Sequence, residues 1–170
     1  MRTKKVAVVK YDSAWTEAFE KIAEEILSVL GSLAVRIEHV GSTSVPGLSA
    51  KPVIDMDIVI RDETVLQETI SALQDIGYVH EGDLGIKGRE AFRYERKDHL
   101  MKHHLYVCPA DSPELRRHIA FRDYLLSHPD AVREYGSIKE EAARLYSDDI
   151  DGYIRYKSPF IERIYEAINR

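Results

Sequence analysis

A chain of 170 residues, 44% of them hydrophobic and 31% charged, has the length and composition of one globular domain with a sizeable core. Its net charge of −5 argues against broad, non-specific binding to nucleic acid. No apolar stretch approaches the ~18 residues that span a bilayer, no signal-peptide pattern opens the chain, and a single cysteine excludes an internal disulfide. These features predict a cytoplasmic, non-membrane protein of one domain, residues 1–170, with a core over about 1–109 and a helical tail over about 110–170.

The chain begins with a strand candidate or core-packing arm over residues 6–9. Asp12 or Ser13 then caps a helix whose apolar stripe runs from Trp15 to Leu30 at helical spacing. The later elements follow in order: a strand over residues 35–40, a strand over 53–60, a helix over 62–77, a strand from 78 to 81, a hairpin of 92–96 and 100–108, and helices starting at Ser112, Asp130 and Ser158.

The apolar run from Val53 to Ile60 contains two carboxylates, Asp55 and Asp57. Its β-branched residues and the preceding proline predict a buried strand, on which the two carboxylates share one face. They lie roughly 6.6–6.8 Å apart along the strand, so both can converge on one cation or a close pair. The alternatives are a site for Mg²⁺, which prefers carboxylate oxygens, and ion pairs with arginines.

The preceding strand breaks at Gly41 into a run of hydroxyl residues, Ser42, Thr43 and Ser44. Glycine lets the backbone approach a ligand closely, and the amides and hydroxyls that follow can cradle phosphate oxygens. Thr43 and Ser44 suit helix capping equally well. A phosphate cradle next to a metal-binding pair is typical of phosphoryl or nucleotidyl transfer.

Basic residues around this stretch are candidate phosphate ligands. Lys51 either contacts phosphate or neutralises Asp55 and Asp57, while Arg93 and Lys157 are further candidates from the hairpin and the tail. Each of the latter two is equally well explained as a surface charge.

The late strand, residues 101–107, contains histidines and no acid. Alternation puts His104 on one face with Tyr106, so His104 is either a general base or a structural hydrogen-bonder. A zinc site using His99, His103 and His104 is the weaker interpretation, because adjacent strand residues point in opposite directions. Cys108 is interpreted as an ordinary buried thiol.

The sequence resembles the polymerase-β-type nucleotidyltransferase superfamily in three successive features. These are a strand ending in Gly-Ser, a short spacer, and Asp-x-Asp in an apolar strand. More narrowly, Glu38–Leu48 and Ala50–Asp55 resemble the GrpB-like family. The resemblance extends along nearly the whole chain, including Tyr11, Trp15, His104-Leu105 and Phe121–Leu125.

The resemblance implies an α/β (α+β) fold with a mixed, mostly antiparallel sheet, helices on one side and a helical C-terminal tail. It implies Mg²⁺-dependent transfer of a nucleoside monophosphate from a nucleoside triphosphate to an acceptor that is expected to be small. The implied catalytic residues are Asp55, Asp57 and His104, with Asp55 and Asp57 as metal ligands. The implied substrate-binding residues are Gly41, Ser42, Thr43, Lys51 and Arg93.

The sequence departs from this pattern on the late strand. Active members of the superfamily usually carry a third carboxylate there, and many GrpB-like sequences have a histidine where this chain has Tyr106. Tyr106 is not a good ligand for Mg²⁺ or Zn²⁺. The alternative function is therefore a non-catalytic nucleotide- or metabolite-binding module, and a partner-docking role for the helical tail is a third hypothesis.

Overall fold

The computed structural model describes residues 5–170, which contain five strands in one sheet. The strands are β1 (Ala34–Val40), β2 (Ile54–Ile60), β3 (Val79–Gly82), β4 (Glu90–Arg93) and β5 (His103–Pro109). Their order in the sheet is β1-β2-β5-β4-β3, with β2 and β5 parallel and the other three neighbouring pairs antiparallel. The mixed, mostly antiparallel sheet predicted from the sequence is confirmed.

Five α-helices lie in the same described range: α1 (Ala14–Leu30), α2 (Leu66–Gln74), α3 (Pro113–Leu126), α4 (Pro129–Leu145) and α5 (Ile150–Ile168). The predicted start of the last helix at Ser158 is wrong, because α5 begins at Ile150 and contains Pro159 in its interior. Asp149 caps α5 by accepting a hydrogen bond from the Gly152 amide at 3.0 Å. Burial of Tyr153 in the first turn anchors the helix further, so tertiary packing overrides the proline signal.

One face of β2 forms the main apolar core. Its side chains are fully buried and pack against α1 and α2, as the alternation of the strand predicts: Ile54, Met56, Ile58 and Ile60. Burying a side chain of this size is worth roughly 1.5–3 kcal/mol. This face therefore carries much of the stability of the sheet.

The helices α1 and α2 lie on one side of the sheet, and α3 of the predicted helical tail packs on the opposite face against β1 and β5. Leu115 of α3 packs on Val59 and Cys108 of the sheet. Tail residues from α3, α4 and α5 form a second cluster with Val45 and Leu48, which follow the predicted cradle. The tail therefore packs on the sheet and also flanks the cradle.

The N-terminal segment is an arm and not a strand of the sheet. Val9 forms one isolated bridge with Ala50, and Val6 is buried against Ala142 and Tyr153. No helix within residues 5–170 combines the length and the apolar composition that crossing a membrane requires.

Candidate functional site

The parallel pairing of β2 and β5 brings the polar side chains of the two strands together. Asp55 lies beside His104 in the register, and Asp57 lies beside Tyr106. Because side chains alternate along a strand, all four point to the sheet face that α3 covers. The two predicted same-face pairs thus form one polar patch.

Asp55 is the accessible carboxylate of this patch, with 34% of its side chain exposed. His104 donates its Nδ1–H to Oδ1 of Asp55 at 2.9 Å, since an ionised carboxylate only accepts hydrogen bonds. The described part of the chain offers Nε2 of His104 no hydrogen-bond partner. This nitrogen is therefore available to a ligand.

Asp57 lies deeper and is fully buried. His118 of α3 donates from Nδ1 to Oδ2 of Asp57 at 2.7 Å, and its Nε2 lies 3.1 Å from the carboxylate of Glu114. Burial lowers the pKa of His118, but the hydrogen bond and charge of Asp57, with the charge of Glu114, raise this pKa above its usual value. Burial raises the pKa of Asp57 above its usual value, although the hydrogen bond and charge of His118 oppose this effect. The Oδ1 atom of Asp57 has no hydrogen-bond partner within residues 5–170.

Gly41 allows the end of β1 to pass directly against Asp55. Its φ of 72° is unfavourable for other residues, and a β-carbon here would overlap the Asp55 carboxylate. The next three residues form one 3₁₀ turn, Ser42–Ser44. Within this turn the Thr43 side chain is buried and its hydroxyl lies 2.9 Å from the His39 ring. Ser42 presents its hydroxyl to the cavity beside the turn.

A cavity of about 220 Å³ lies between this turn and the helices α4 and α5, and we call it the lysine chamber. Its lining includes Ser42, Asp55 and three lysines, Lys51, Lys139 and Lys157. Lys139 donates to the Ser42 hydroxyl and is only 3% exposed. Burial lowers the pKa of Lys139 well below its usual value, and burial with the charge of Lys51 lowers the pKa of Lys157 to about 8.

Tyr153 completes the wall of the lysine chamber. Its ring is fully buried, with the Nζ atoms of Lys51 and Lys157 at 5.4 and 4.9 Å from the ring centroid. The Tyr153 hydroxyl is buried and has no hydrogen-bond partner among the residues described. The lysine amines repel one another, and the Tyr153 hydroxyl lacks an acceptor. A bound anion would supply negative charge to the amines and an acceptor to the hydroxyl, so the chamber suits an anion.

Two further cavities adjoin the lysine chamber. The aromatic chamber, of about 220 Å³, lies between the sheet, α3 and α5, and shares Asp55 with the lysine chamber. The outer chamber, of about 240 Å³, shares His104 and Lys51 with the lysine chamber and shares Tyr106 with the aromatic chamber. Asp55 therefore lies between the lysine and aromatic chambers, and His104 lies between the lysine and outer chambers.

Three residues of this site were missed in the sequence: His118, Lys139 and Tyr153. A signal did exist for Lys139, because it lies on the buried stripe of α4 with Val132 and Ala142. A lysine on an apolar helix face requires a partner or a function. No comparable signal distinguished His118 from other helix residues.

Other sequence candidates lie away from the site. Arg93 ends β4, is exposed and does not line any of the three chambers, so the structure does not bring it to the cradle. His103 points to the opposite, apolar face, and His99 pairs with Glu25 at 2.8 Å. Cys108 is buried, and burial raises its pKa to about 12, as expected for an unreactive thiol.

The fold is that of the nucleotidyltransferases. The structure of the poly(U) polymerase Cid1 in complex with the UTP analog UMPNPP aligns with a TM-score of 0.52, over 78% of this chain and 40% of Cid1. The identity is 11%, so this likeness concerns the fold alone.

Residues 5–167 match the family model of the GrpB protein, and the chain belongs to the GrpB family. The crystal structure of the conserved protein GrpB from Enterococcus faecalis aligns with a TM-score of 0.83 and 33% identity, over 95% of this chain and 96% of that one. The UPF0157 protein YqkA of Bacillus subtilis is 34% identical over 167 residues, which cover 98% of this chain and 48% of YqkA. The chain thus spans about half the length of that relative.

Proposed function

We propose that this chain binds a nucleoside triphosphate and transfers its nucleoside monophosphate to an acceptor hydroxyl or amine, with Mg²⁺ held by Asp55 and Asp57. The observation that carries the proposal is the lysine chamber, where three desolvated lysines lie beside the Asp55 carboxylate. A triphosphate tail carries the negative charge that would balance the three lysines. Nucleotidyl transfer depends mainly on positioning and charge stabilisation, which such a chamber would provide.

The carboxylate pair fits Mg²⁺. In nucleotide enzymes this ion is commonly held by one or two carboxylates together with substrate phosphates. Asp55 is accessible, and Oδ1 of Asp57 is a carboxyl oxygen left unpaired by the described residues. Residues 5–170 contain no cluster of three or more His, Cys, Asp or Glu suited to a metal, so phosphate oxygens would complete the ligand set. Once bound, Mg²⁺ would neutralise the charge that develops on the phosphates.

The remaining roles in the proposed transfer belong to side chains of the protein. Ser42, Lys139 and Lys157 hold the β- and γ-phosphates, so that the pyrophosphate leaving group stays paired with positive charge. The acceptor oxygen attacks the α-phosphorus and the bond to the β-phosphate breaks. His104, oriented by Asp55, takes the acceptor proton at Nε2.

Calorimetric titration of ATP, GTP, CTP and UTP, with and without Mg²⁺, tests the proposal. We expect Mg²⁺-dependent binding that Asp55→Asn abolishes and that Lys139→Met weakens about 10- to 100-fold, the usual range for a charge-assisted contact. Lys21→Met is the matched control, because the exposed Lys21 amine lies far from the chamber and donates to the carbonyl of His99. Failure of all four nucleotides to bind, or an unchanged affinity in Lys139→Met, would overturn the proposal.

A non-catalytic nucleotide-binding module is the second candidate, favoured by the surroundings of Asp57. The late strand β5 carries no acid, although active members of the resembling superfamily usually have one on this strand, and it places Tyr106 beside Asp57. His118 already occupies one oxygen of Asp57 with a hydrogen bond. Pyrophosphate release from a bound nucleotide separates the two functions. Sustained, Mg²⁺-dependent release across a panel of hydroxyl and amine acceptors supports transfer, whereas tight binding without release supports the module.

A further inference from the structure

We propose that the aromatic chamber binds the base of the nucleotide and selects uracil or guanine, which carry a keto oxygen where cytosine and adenine carry an amino group. This inference rests on the proposed binding of a nucleoside triphosphate and extends it to the identity of the base. It depends on the walls of the chamber, one buried donor and the position of Asp55.

The walls of the chamber suit a flat ring. Phe121 of α3 and Tyr165 of α5 form one aromatic wall, with ring centroids 5.3 Å apart, and Tyr106 lines the sheet side. Phe121 is itself held edge-on against the buried ring of Tyr135 at 6.0 Å. Stacking on such rings tolerates any base, so the aromatic side chains supply affinity without selecting among bases.

Arg89 supplies the selective group. Its guanidinium lies 4.2 Å over the ring of Tyr106, and its Nε is buried with no hydrogen-bond partner among residues 5–170. The Ser112 hydroxyl donates to the carbonyl of Gly88 at 2.7 Å, which ties the residue before Arg89 to the start of α3. The donor is therefore positioned before any ligand binds.

A guanidinium only donates hydrogen bonds. A keto oxygen at the edge of uracil or guanine accepts from it, as arginine reads the O6 atom of guanine in nucleic acids. The amino group at the same edge of adenine or cytosine would place donor against donor. Selection therefore follows from a donor that the residues of the chamber wall leave unpaired.

The chambers are arranged as a nucleotide requires. Asp55 lines both the lysine chamber and the aromatic chamber, so a ligand that fills both passes its α-phosphate beside this carboxylate. The outer chamber, with His104 in its lining, is left for the acceptor next to the group that takes its proton. Each part of the proposed reaction thus has a separate cavity around the same two residues.

The test compares inorganic tripolyphosphate with GTP, UTP, ATP and CTP by calorimetry in the presence of Mg²⁺. All four nucleotides should bind more tightly than tripolyphosphate, because stacking adds affinity for any base. We expect GTP or UTP to bind about tenfold tighter than ATP and CTP. Arg89→Met should remove this advantage and leave the affinity for tripolyphosphate unchanged, whereas Arg89→Lys should retain part of it. Arg96→Met, at an exposed position, is the matched control.

The outcomes separate this inference from the proposed function. Equal affinity for all four nucleotides would overturn the selection of the base, and equal affinity for the nucleotides and tripolyphosphate would overturn the base chamber altogether while the phosphate site stands. An aromatic chamber that serves the acceptor instead would give that same result. Failure of tripolyphosphate and of all four nucleotides to bind would overturn both proposals. Because Arg89→Met alters a partly buried residue, thermal melting of each variant must show a folded protein before affinities are compared.

Discussion

The two faces of β2 use one strand for opposite purposes. On the face toward α1 and α2, Met56 and Ile58 have no exposed surface and belong to the main hydrophobic cluster. On the face toward α3, histidines bind Asp55, which lines the lysine and aromatic chambers, and the buried Asp57. Strand alternation thus separates the residues that stabilise the sheet from those suited to bind a ligand, although they are chain neighbours.

Two consecutive histidines of β5 show the same contrast. His103 on the apolar face donates from Nδ1 to the Met101 carbonyl at 2.8 Å, and its Nε2 accepts from the Tyr78 hydroxyl at 2.7 Å. Both of its ring nitrogens are satisfied, which suits a structural role. His104 on the other face binds Asp55 through one nitrogen and keeps the second for a ligand. The residue type alone therefore does not assign a role to these two histidines, whereas the face of β5 on which each one lies does.

The largest expected effect comes from the apolar face. Ile58→Ala should lower the free energy of unfolding by about 2–5 kcal/mol, because it opens a cavity in a fully buried position. Urea denaturation measures this loss. The affinity of the folded variant for tripolyphosphate should not change, since Ile58 does not face the chambers.

Val35→Ala, at a position that is 55% exposed, is the control and should alter stability by less than about 0.5 kcal/mol. If Ile58→Ala also abolished tripolyphosphate binding by folded protein, the two faces would not be separable in the way described.

A second prediction concerns pH. Burial lowers the pKa of His103 from 6.5 to about 4, so between these values the unfolded chain binds a proton that the folded protein does not. His103 should therefore contribute a fall of about 3 kcal/mol in the free energy of unfolding as the pH decreases from 6.5 to 4. His39, whose pKa burial also lowers to about 4, should add to this fall. In His103→Asn, which keeps a donor for the Met101 carbonyl, this slope should flatten.

Urea denaturation at several pH values measures the slope in the wild type and the variant. His128→Asn, on the exposed connection between α3 and α4, is the control and should keep the wild-type slope. An identical slope in His103→Asn would contradict the assignment of a neutral buried imidazole.

The smallest expected effect is on proton uptake at Lys157, and it tests whether this lysine belongs to the anion site. Burial lowers the pKa of Lys157 to about 8, and a bound polyanion favours its charged form. Tripolyphosphate binding near pH 9 should therefore be accompanied by proton uptake, which is reduced by up to one proton in Lys157→Met. Calorimetry in buffers of different ionisation enthalpy measures this uptake. Equal uptake in both proteins would place Lys157 outside the anion site.

Much of the fold and the centre of the site could be read from the sequence, because they depend on local patterns. Period-two alternation placed Asp55 and Asp57 on one face of β2, and the glycine before the hydroxyl run marked the close approach at Gly41. The superfamily resemblance added the pairing of these two segments. The start of α5 was misplaced, because a local proline signal was weaker than the burial of Tyr153.

The rest of the site was decided by the tertiary structure. His118 and Asp57 are 61 residues apart in the chain, and Lys139 and Ser42 are 97 residues apart. Their contacts arise only when α3 and α4 pack across the sheet, a result of the summed apolar burial of whole helices. The charge placed on Asp57, the amines of the lysine chamber and the donor of Arg89 follow from that packing. The sequence by itself determined which residues share a strand face, and only the tertiary structure decided which distant side chains meet them there.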